Sequence, residues 1–317
     1  MKEKMKFDAA DIPGVAAFHA TTGLGMREDD SAFTASQLNF VRTRVYEANL
    51  PRLTGLQLVP IDTDVPEWAE TVEDGIFDMV GMAKVIANYA DDLPRADVKR
   101  TPRIVKVREI GDAYGYNVAE IRASMANGTN LPARKANAAR RAIDEKMNSI
   151  AWVGDVEYGM YGLLNHPNIG TTSITGTWSG ATFAAIIADL NAMYDAVRVQ
   201  SSGAHMADTI VLPTAAYSRA NTVVNTAGNE TALSFWLRTH PGVSVFESPE
   251  LTGVGTAGKD VGFAYERNVE NFALEMPMPF NQLPAQARNL EIVVNCLART
   301  AGVTVRYPLS ITKSEGF

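Results

Sequence analysis

The most regular hydrophobic pattern in the chain predicts one long helix over about residues 132–153. Asn130 can cap it, Pro132 suits the first helical turn, and no helix-breaking residue follows until Gly154. Apolar side chains recur at helical spacing at Ala136, Ala139, Ile143, Met147 and Ile150. Polar residues, Asn148 among them, fall elsewhere around the helix. The pattern therefore predicts a helix that packs through one apolar stripe.

A second pattern alternates apolar and charged residues. The apolar positions are Val98, Ile104, Val105, Val107 and Ile110, and they are interleaved with Lys99, Arg100, Arg103, Lys106, Arg108 and Glu109. Such alternation is typical of strands with one exposed face, and it predicts a two-stranded ribbon within residues 77–116. A ribbon of two strands is marginal in water and needs a surface to lie on. The pattern taken by itself favours a hairpin that lies on its own domain.

Shorter elements alternate after the long helix. The predicted helices cover about residues 181–199, 213–223 and 231–239, and the predicted strands cover 208–212, 243–246, 260–265, 268–274, 290–299 and 303–307. Ser179 is the expected cap of the first of these helices. Strands interspersed with helices predict a mixed α+β fold in which helices cover a sheet.

The first 60 residues have weaker periodicity. One helix is predicted at about residues 31–48, and the rest is typical of an extended arm or a frayed terminus.

Composition limits the class of protein. A chain of 317 residues with 46% hydrophobic residues can bury the core of one large domain or two smaller ones. The formal net charge of −7 argues against a protein that coats nucleic acid by neutralising phosphates. The N-terminus lacks the apolar stretch of a secretory signal, so we expect a cytoplasmic protein. The single cysteine, Cys296, excludes an intrachain disulfide and lies in an apolar run that predicts burial.

No pattern in the sequence predicts catalytic, cofactor-binding or metal-binding residues. Residues 253–260 approach a phosphate-binding loop, but Asp260 stands where Ser or Thr would hold magnesium. The histidines at positions 19, 166, 205 and 240 lack the spacing of metal ligands. We therefore expect a protein that is not an enzyme. A cytoplasmic enzyme without a recognisable motif is kept as an alternative.

Three segments carry a resemblance to a known family. They are residues 154–168, which contain the run Gly-Leu-Leu-Asn-His-Pro after the long helix, the stretch Tyr89 to Arg95, and the ending Arg299 to Pro308. Together they resemble the major capsid proteins of tailed phages, whose HK97-like fold is shared by the encapsulin nanocompartments. The resemblance runs from about Asp62 to the end of the chain.

The resemblance implies a division of the chain. It comprises an N-terminal arm (1–60), a peripheral domain (61–76 and 117–175) with the long helix as its spine, an extended loop (77–116), an axial domain (176–267), and a strand-rich return to the peripheral domain (268–317). The extended loop of the family lies over the adjacent subunit. Lys99, Arg100, Arg103, Lys106 and Arg108 would then be the candidates for contact with a neighbour's carboxylates.

The resemblance also implies partners and a location. The expected partners are copies of the chain, forming pentamers and hexamers, with scaffold, portal or decoration proteins as further candidates. The shell would enclose double-stranded DNA without sequence-specific binding, as part of a virion assembled in the cytoplasm of a host bacterium. Some members crosslink a loop lysine to a neighbour's asparagine, and Lys99 and Lys106 lie in the corresponding loop. An encapsulin-like compartment is the alternative on the same fold.

Overall fold

The computed structural model describes residues 50–80, 97–117, 119–120, 122, 131–174, 176–225, 228–289 and 291–317. The predicted helix at 31–48 and the stretch 89–95 lie outside these ranges. Within them, the helices are α1 (Gly55–Leu58), α2 (Leu131–Trp152), α3 (Phe183–Gln200), α4 (Thr214–Thr222) and α5 (Ala232–Thr239). None of the helices in the described part of the chain is both long and apolar enough to cross a bilayer.

The strands fall into two groups along the chain. Before α3 they are β1 (Ile61–Asp62), β2 (Thr71–Val80), β3 (Asp97–Lys106), β4 (Arg108–Asn117), β5 (Gly154–Asp155), β6 (Met160–Tyr161) and β7 (Gly170–Ser173). After α3 they are β8 (Thr209–Pro213), β9 (Ser244–Ser248), β10 (Val261–Tyr265), β11 (Phe272–Glu275), β12 (Met278–Gln282), β13 (Gln286–Arg288), β14 (Glu291–Thr300), β15 (Gly302–Val305) and β16 (Ile311–Glu315).

A five-stranded sheet in the order β7-β16-β10-β8-β9 separates two apolar cores. Successive side chains of a strand point to opposite faces, and here both faces are buried. Val211 and Phe263 point into a core shared with Trp152, whereas Ile210 and Ala264 belong to a core with α3, α4 and α5. This explains why β8 and β10 read as continuous apolar runs instead of alternating ones.

The long helix α2 packs on a second sheet, in which β14 pairs with β4 on one side and with β12 and β13 on the other. The buried contacts between the helix and β14 join Ala139, Ile143, Met147, Cys296 and Ala298. The predicted helix and its apolar stripe are confirmed, and Cys296 is fully buried as expected.

Asn148 departs from the predicted pattern because it is buried although it is polar. Its Oδ1 accepts a hydrogen bond of 2.7 Å from the Gly55 N–H, and its Nδ2 donates to Oε1 of Glu250. Trp152 Nε1 donates to the other oxygen of Glu250 at 2.7 Å, and Thr54 donates to the same atom. Hydrogen bonding thus allows α2 to bury a polar side chain, which periodicity does not reveal.

The ribbon has other bounds than the predicted 77–116. Its first strand is β2, which begins at Thr71, and its second strand ends at Lys106. Residues 108–117 form β4 and pair with β14, so they belong to the body of the molecule. The hydrophobic pattern did not predict the start of β2, because charged residues interrupt its apolar positions.

The other elements lie close to their predicted positions, with local differences. Thr182 caps α3 by accepting a hydrogen bond of 3.4 Å from the Ala185 N–H, in place of Ser179. The last strand, β16, joins the five-stranded sheet between β7 and β10. The division into arm, loop, peripheral and axial domains stays a prediction.

Candidate inter-subunit surface

The β2–β3 ribbon is ten residue pairs long, with Thr71 opposite Lys106 and Val80 opposite Asp97. The register places Lys99 opposite Asp78 and Arg103 opposite Asp74. Acidic residues therefore occupy the register positions opposite two of the five basic candidates.

Arg100 is exposed on the ribbon and is paired within it. Its Nη2 donates to Oε1 of Glu73 at 2.9 Å, and its side chain passes over Gly75. A Cβ at Gly75 would lie 2.7 Å from the Arg100 Nε, so glycine leaves the room that this path needs. Both partners are about half exposed, so the pair contributes at most about 1 kcal/mol. It does reduce the positive charge that Arg100 can offer to a neighbour.

Arg103 points to the body of the molecule. Its Nη1 donates to the carbonyl oxygen of Val305 at 2.6 Å, and its Nη2 contacts Nε2 of His166 at 2.9 Å. Arginine is only a donor, so Nε2 accepts and the neutral imidazole carries its proton on Nδ1. The longer contact of 3.3 Å between the Asn168 N–H and Nδ1 would need the other tautomer. Burial, and then the charge of Arg103, lower the pKa of His166 to about 4.

Arg306 is the centre of a second network at the end of the ribbon that contacts the body of the molecule. This end, around Asp74 and Arg103, is the root of the ribbon. Its Nη2 donates at 2.8 Å to both Asp62 Oδ2 and Glu275 Oε1, and its Nε lies 3.6 Å from Asp74 Oδ2. Because Asp74 belongs to β2, this contact ties the ribbon to the body, as Arg103 does from β3. A single guanidinium thus faces three carboxylates.

Glu275 is the most deeply buried carboxylate of this network, with no exposed side-chain surface. Its Oε2 has no hydrogen-bond partner among the described residues. Burial raises the pKa of Glu275 to about 7, against the opposing effect of Arg306 and with the help of Asp62, Asp74 and Asp64. The desolvation cost therefore outweighs the attraction of the single arginine.

Lys106 and Arg108 remain as the outward basic residues of the root. Both are exposed, and neither has an ion pair with a described residue. They line a groove of about 450 Å³ between β3 and residues 156–161. Its wider lining is Arg103, Ile104, Val105, Val156, Glu157, Tyr158, Gly159, Tyr161, Ala301 and Val303. The guanidinium carbon of Arg108 lies 6.0 Å from the centre of the Tyr158 ring.

The structure thus separates the four basic candidates whose side chains it describes, instead of presenting one basic face. Arg100 is paired across the ribbon, Arg103 is turned inward, and Lys106 and Arg108 face the groove. Sequence reasoning missed Asp74, His166, Glu275 and Arg306, which fix the root. No local pattern could reveal them, because Asp62 and Arg306 are 244 residues apart in the chain.

Other chemistry considered in the sequence has structural explanations. Asp260 accepts a hydrogen bond of 2.8 Å from the Gly253 N–H, and β10 follows directly, so residues 253–260 form a self-contained loop. His205 pairs with Glu266 at 2.7 Å, and His240 stacks on Trp236. Over the described ranges no group of three His, Cys, Asp or Glu residues could hold a metal ion.

Sequence comparison identifies the family. The profile of the major capsid protein family matches residues 81–316. The chain belongs to the major capsid protein family. As a major capsid protein it is a structural component of the virion shell, assembles with copies of itself, and belongs to no enzyme family. No curated protein sequence matches it significantly.

Solved capsid structures share the fold of this major capsid protein at low sequence identity. The capsid of Myoviridae phage XM1 superposes with a TM-score of 0.80 at 17% identity, over 90% of this chain and 99% of that chain. Mycobacterium phage Bobi gives 0.61 at 14%, over 90% and 98% of the two chains. The capsid of a native GTA particle gives 0.62 at 11%, over 92% and 99%. These superpositions confirm the predicted α+β, HK97-like capsid fold.

Proposed function

We propose that this major capsid protein forms pentamers and hexamers that close into an icosahedral phage head around double-stranded DNA. The observation that carries the proposal is the ribbon. It is ten residue pairs long, and neither of its outer edges has a third strand among the described residues. An uncovered ribbon of that length is unstable and prone to association, so it requires a second surface.

The root contacts support this role of the ribbon. Arg103 and Asp74 hold one end of the ribbon to the body through Val305 and Arg306. The surface that the ribbon covers would then belong to the adjacent subunit. Many such contacts, each weak alone, combine into a stable closed shell.

Two buried cores support the proposed domains, although β7 and β16 join the sheet that contains β8 and β9. The core with α3, α4 and α5 would form the axial domain, and the sheet beneath α2 the peripheral domain. The net charge of −7 suits a shell that encloses DNA without binding it tightly. Assembly in the host cytoplasm, with scaffold, portal or decoration proteins as further partners, is part of the proposal.

Assembly of the purified chain tests the function. Size-exclusion chromatography with negative-stain electron microscopy should show rings, tubes or shells, and a compact monomer under all conditions would overturn the proposal. Nucleic acid extracted from particles made during infection would distinguish a phage head from a compartment filled with an enzyme. A single monomeric band on a denaturing gel of those particles would exclude crosslinking through Lys99 or Lys106.

A further inference from the structure

Trp68 is the most exposed large apolar side chain of the described residues, with 80% of its surface accessible. It lies between the exposed carboxylates Glu67 and Glu70, in the loop that leads into β2. Exposing an indole to this extent is unfavourable, because its large apolar surface remains in water. Contact with another molecule would remove this apolar surface from water and would therefore be favourable.

The backbone on both sides of Trp68 is fixed. The Ala69 N–H donates to the Pro66 carbonyl at 3.0 Å, and the Val107 N–H donates to the Glu70 carbonyl at 2.9 Å. Arg299 also donates to the carbonyl of Glu67. A partner that binds this loop does not have to order it first, which reduces the entropic cost of association. Tryptophan is one of the residues enriched at the energetic centres of protein interfaces.

The groove beside the ribbon root has the complementary character. Its apolar side chains are incompletely covered, with Ile104 64%, Val156 70% and Tyr158 52% exposed. Its lining contains two outward-facing basic residues, Lys106 and Arg108, against one acidic residue, Glu157, while the guanidinium of Arg103 is turned inward. An apolar floor with a basic rim suits an aromatic side chain that is flanked by carboxylates. Arginine and tyrosine would also contact the faces of an indole favourably.

We propose that Trp68 of one copy inserts into this groove on an adjacent copy, where Glu67 and Glu70 meet Lys106 and Arg108. The inference rests on the proposed self-assembly and identifies one of its contacts. The high exposure of Trp68 shows that it does not fill the groove of its own chain. The two surfaces differ, so the contact is heterologous, and its repetition gives a ring where the rotation between copies closes.

Site-specific crosslinking tests this contact without removing Trp68 or Tyr158. The variant Glu67→Cys/Val156→Cys places one thiol beside the tryptophan and one at the groove, and the native Cys296 is fully buried. A short bismaleimide applied to assembled particles should give a ladder of multimers on a denaturing gel. Each single variant should give none. Glu67→Cys/Val199→Cys is the matched control, because Val199 is 75% exposed and lies outside the groove.

The outcomes separate this contact from self-assembly itself. Particles that form normally but give no ladder overturn the contact and leave the proposed function standing. A ladder of equal yield in the control pair also overturns it, whereas failure of the unmodified chain to assemble under any condition overturns the proposed function.

A substitution adds an independent measurement. Trp68→Ala should raise the concentration needed for assembly about tenfold or more, with an unchanged melting temperature of the dissociated chain. Trp68→Phe should recover part of the loss, and Val199→Ala should assemble like the unmodified chain. An unchanged assembly concentration for Trp68→Ala would overturn the contact.

Discussion

Gly154 and Gly162 pack backbone against backbone at the end of the long helix. A Cβ added to Gly154 would lie 2.5 Å from the amide nitrogen of Gly162, and Gly154 has a φ of 75°. A Cβ added to Gly162 would lie 2.6 Å from the carbonyl carbon and oxygen of Trp152. Gly154 and Gly162, two of the three glycines in residues 154–168, therefore allow a close backbone approach that a larger residue would block.

This close approach brings hydrogen-bond donors to the last carbonyl groups of α2. The Leu163 N–H donates to the Ala151 carbonyl at 3.0 Å, and the Leu164 N–H donates to the Trp152 carbonyl at 2.8 Å. The last carbonyls of a helix have no partner within the helix, and buried ones require another donor. The Gly-Leu-Leu-Asn run thus closes α2 against β5 and β6. The residue types of this run are explained by backbone packing, not by catalysis.

Replacing Gly162 should destabilise the fold because of this close approach. Gly162→Ala is expected to reduce the free energy of unfolding by about 1–3 kcal/mol, since the backbone must move to admit the methyl group. Gly180→Ala is the matched control, because a Cβ at Gly180 meets nothing within 4 Å. It should change stability by less than about 0.5 kcal/mol. Urea unfolding of the dissociated chains measures both, and equal effects would refute the packing argument.

Local patterns predicted α2 and the later short helices well, because their information lies within a few turns. Apolar spacing identifies the buried face of α2 whatever the rest of the chain does. The alternation around Val105 likewise predicted β3. In each case the decisive neighbours are adjacent in sequence.

The remaining features depend on distant partners. Strand β2 contains Glu73, Asp74 and Gly75, and it became recognisable only through its pairing with β3. The inward orientation of the Arg103 side chain depends on its contacts with Val305 and His166, which come from other parts of the chain. Sequence therefore supplied the basic residues of the candidate surface but could not say which of them face outward.

The buried Glu275 should make stability depend on pH. Its pKa is raised from an ordinary 4.5 to about 7, so the folded chain binds more protons than the unfolded chain between those values. The contribution of this group is greatest below about pH 4.5 and declines as pH rises to about 7. Glu275→Gln should remove that decline, on the order of 1–3 kcal/mol, while retaining an acceptor for Arg306. Unfolding free energies from pH 4.5 to 7.5 measure it; parallel curves for the two proteins would contradict it.

His166 should act in the opposite direction. Its pKa is lowered from 6.5 to about 4, so the unfolded chain binds the extra proton between those values. The contribution of His166 is present above about pH 6.5 and is lost as pH falls towards 4. In His166→Gln the amide oxygen still accepts from Arg103, and the acid-dependent loss of about 1–3 kcal/mol should disappear. The same pH series measures this variant, and an unchanged acid slope would show that another group causes it.

Glu250 joins α2 to the segments around Thr54 and Ser248 without any basic partner among the described residues. Its two oxygens accept from Asn148, Trp152 and Thr54, and more distantly from the Ser248 hydroxyl at 3.4 Å. Removing the carboxylate leaves the Asn148 and Trp152 donors without an acceptor, whereas Thr54 and Ser248 lie 2.7 Å apart and can bond to each other. Each unsatisfied donor in a mostly buried place costs about 1–3 kcal/mol. Glu250→Ala should therefore destabilise the chain by at least about 2 kcal/mol, even though the glutamate lies outside both the ribbon and the groove.

The neighbouring Glu247 provides the control for this prediction. It is exposed, lies on β9 three residues before Glu250, and accepts no side-chain hydrogen bond from the described residues. Glu247→Ala should stay within about 0.5 kcal/mol of the unmodified chain. Urea unfolding followed by tryptophan fluorescence is suitable, because Trp152 contacts Glu250 directly. Equal urea midpoints for the two alanine variants would contradict the prediction. They would show that water can replace the Glu250 carboxylate, so the cluster does not hold α2 to the rest of the fold.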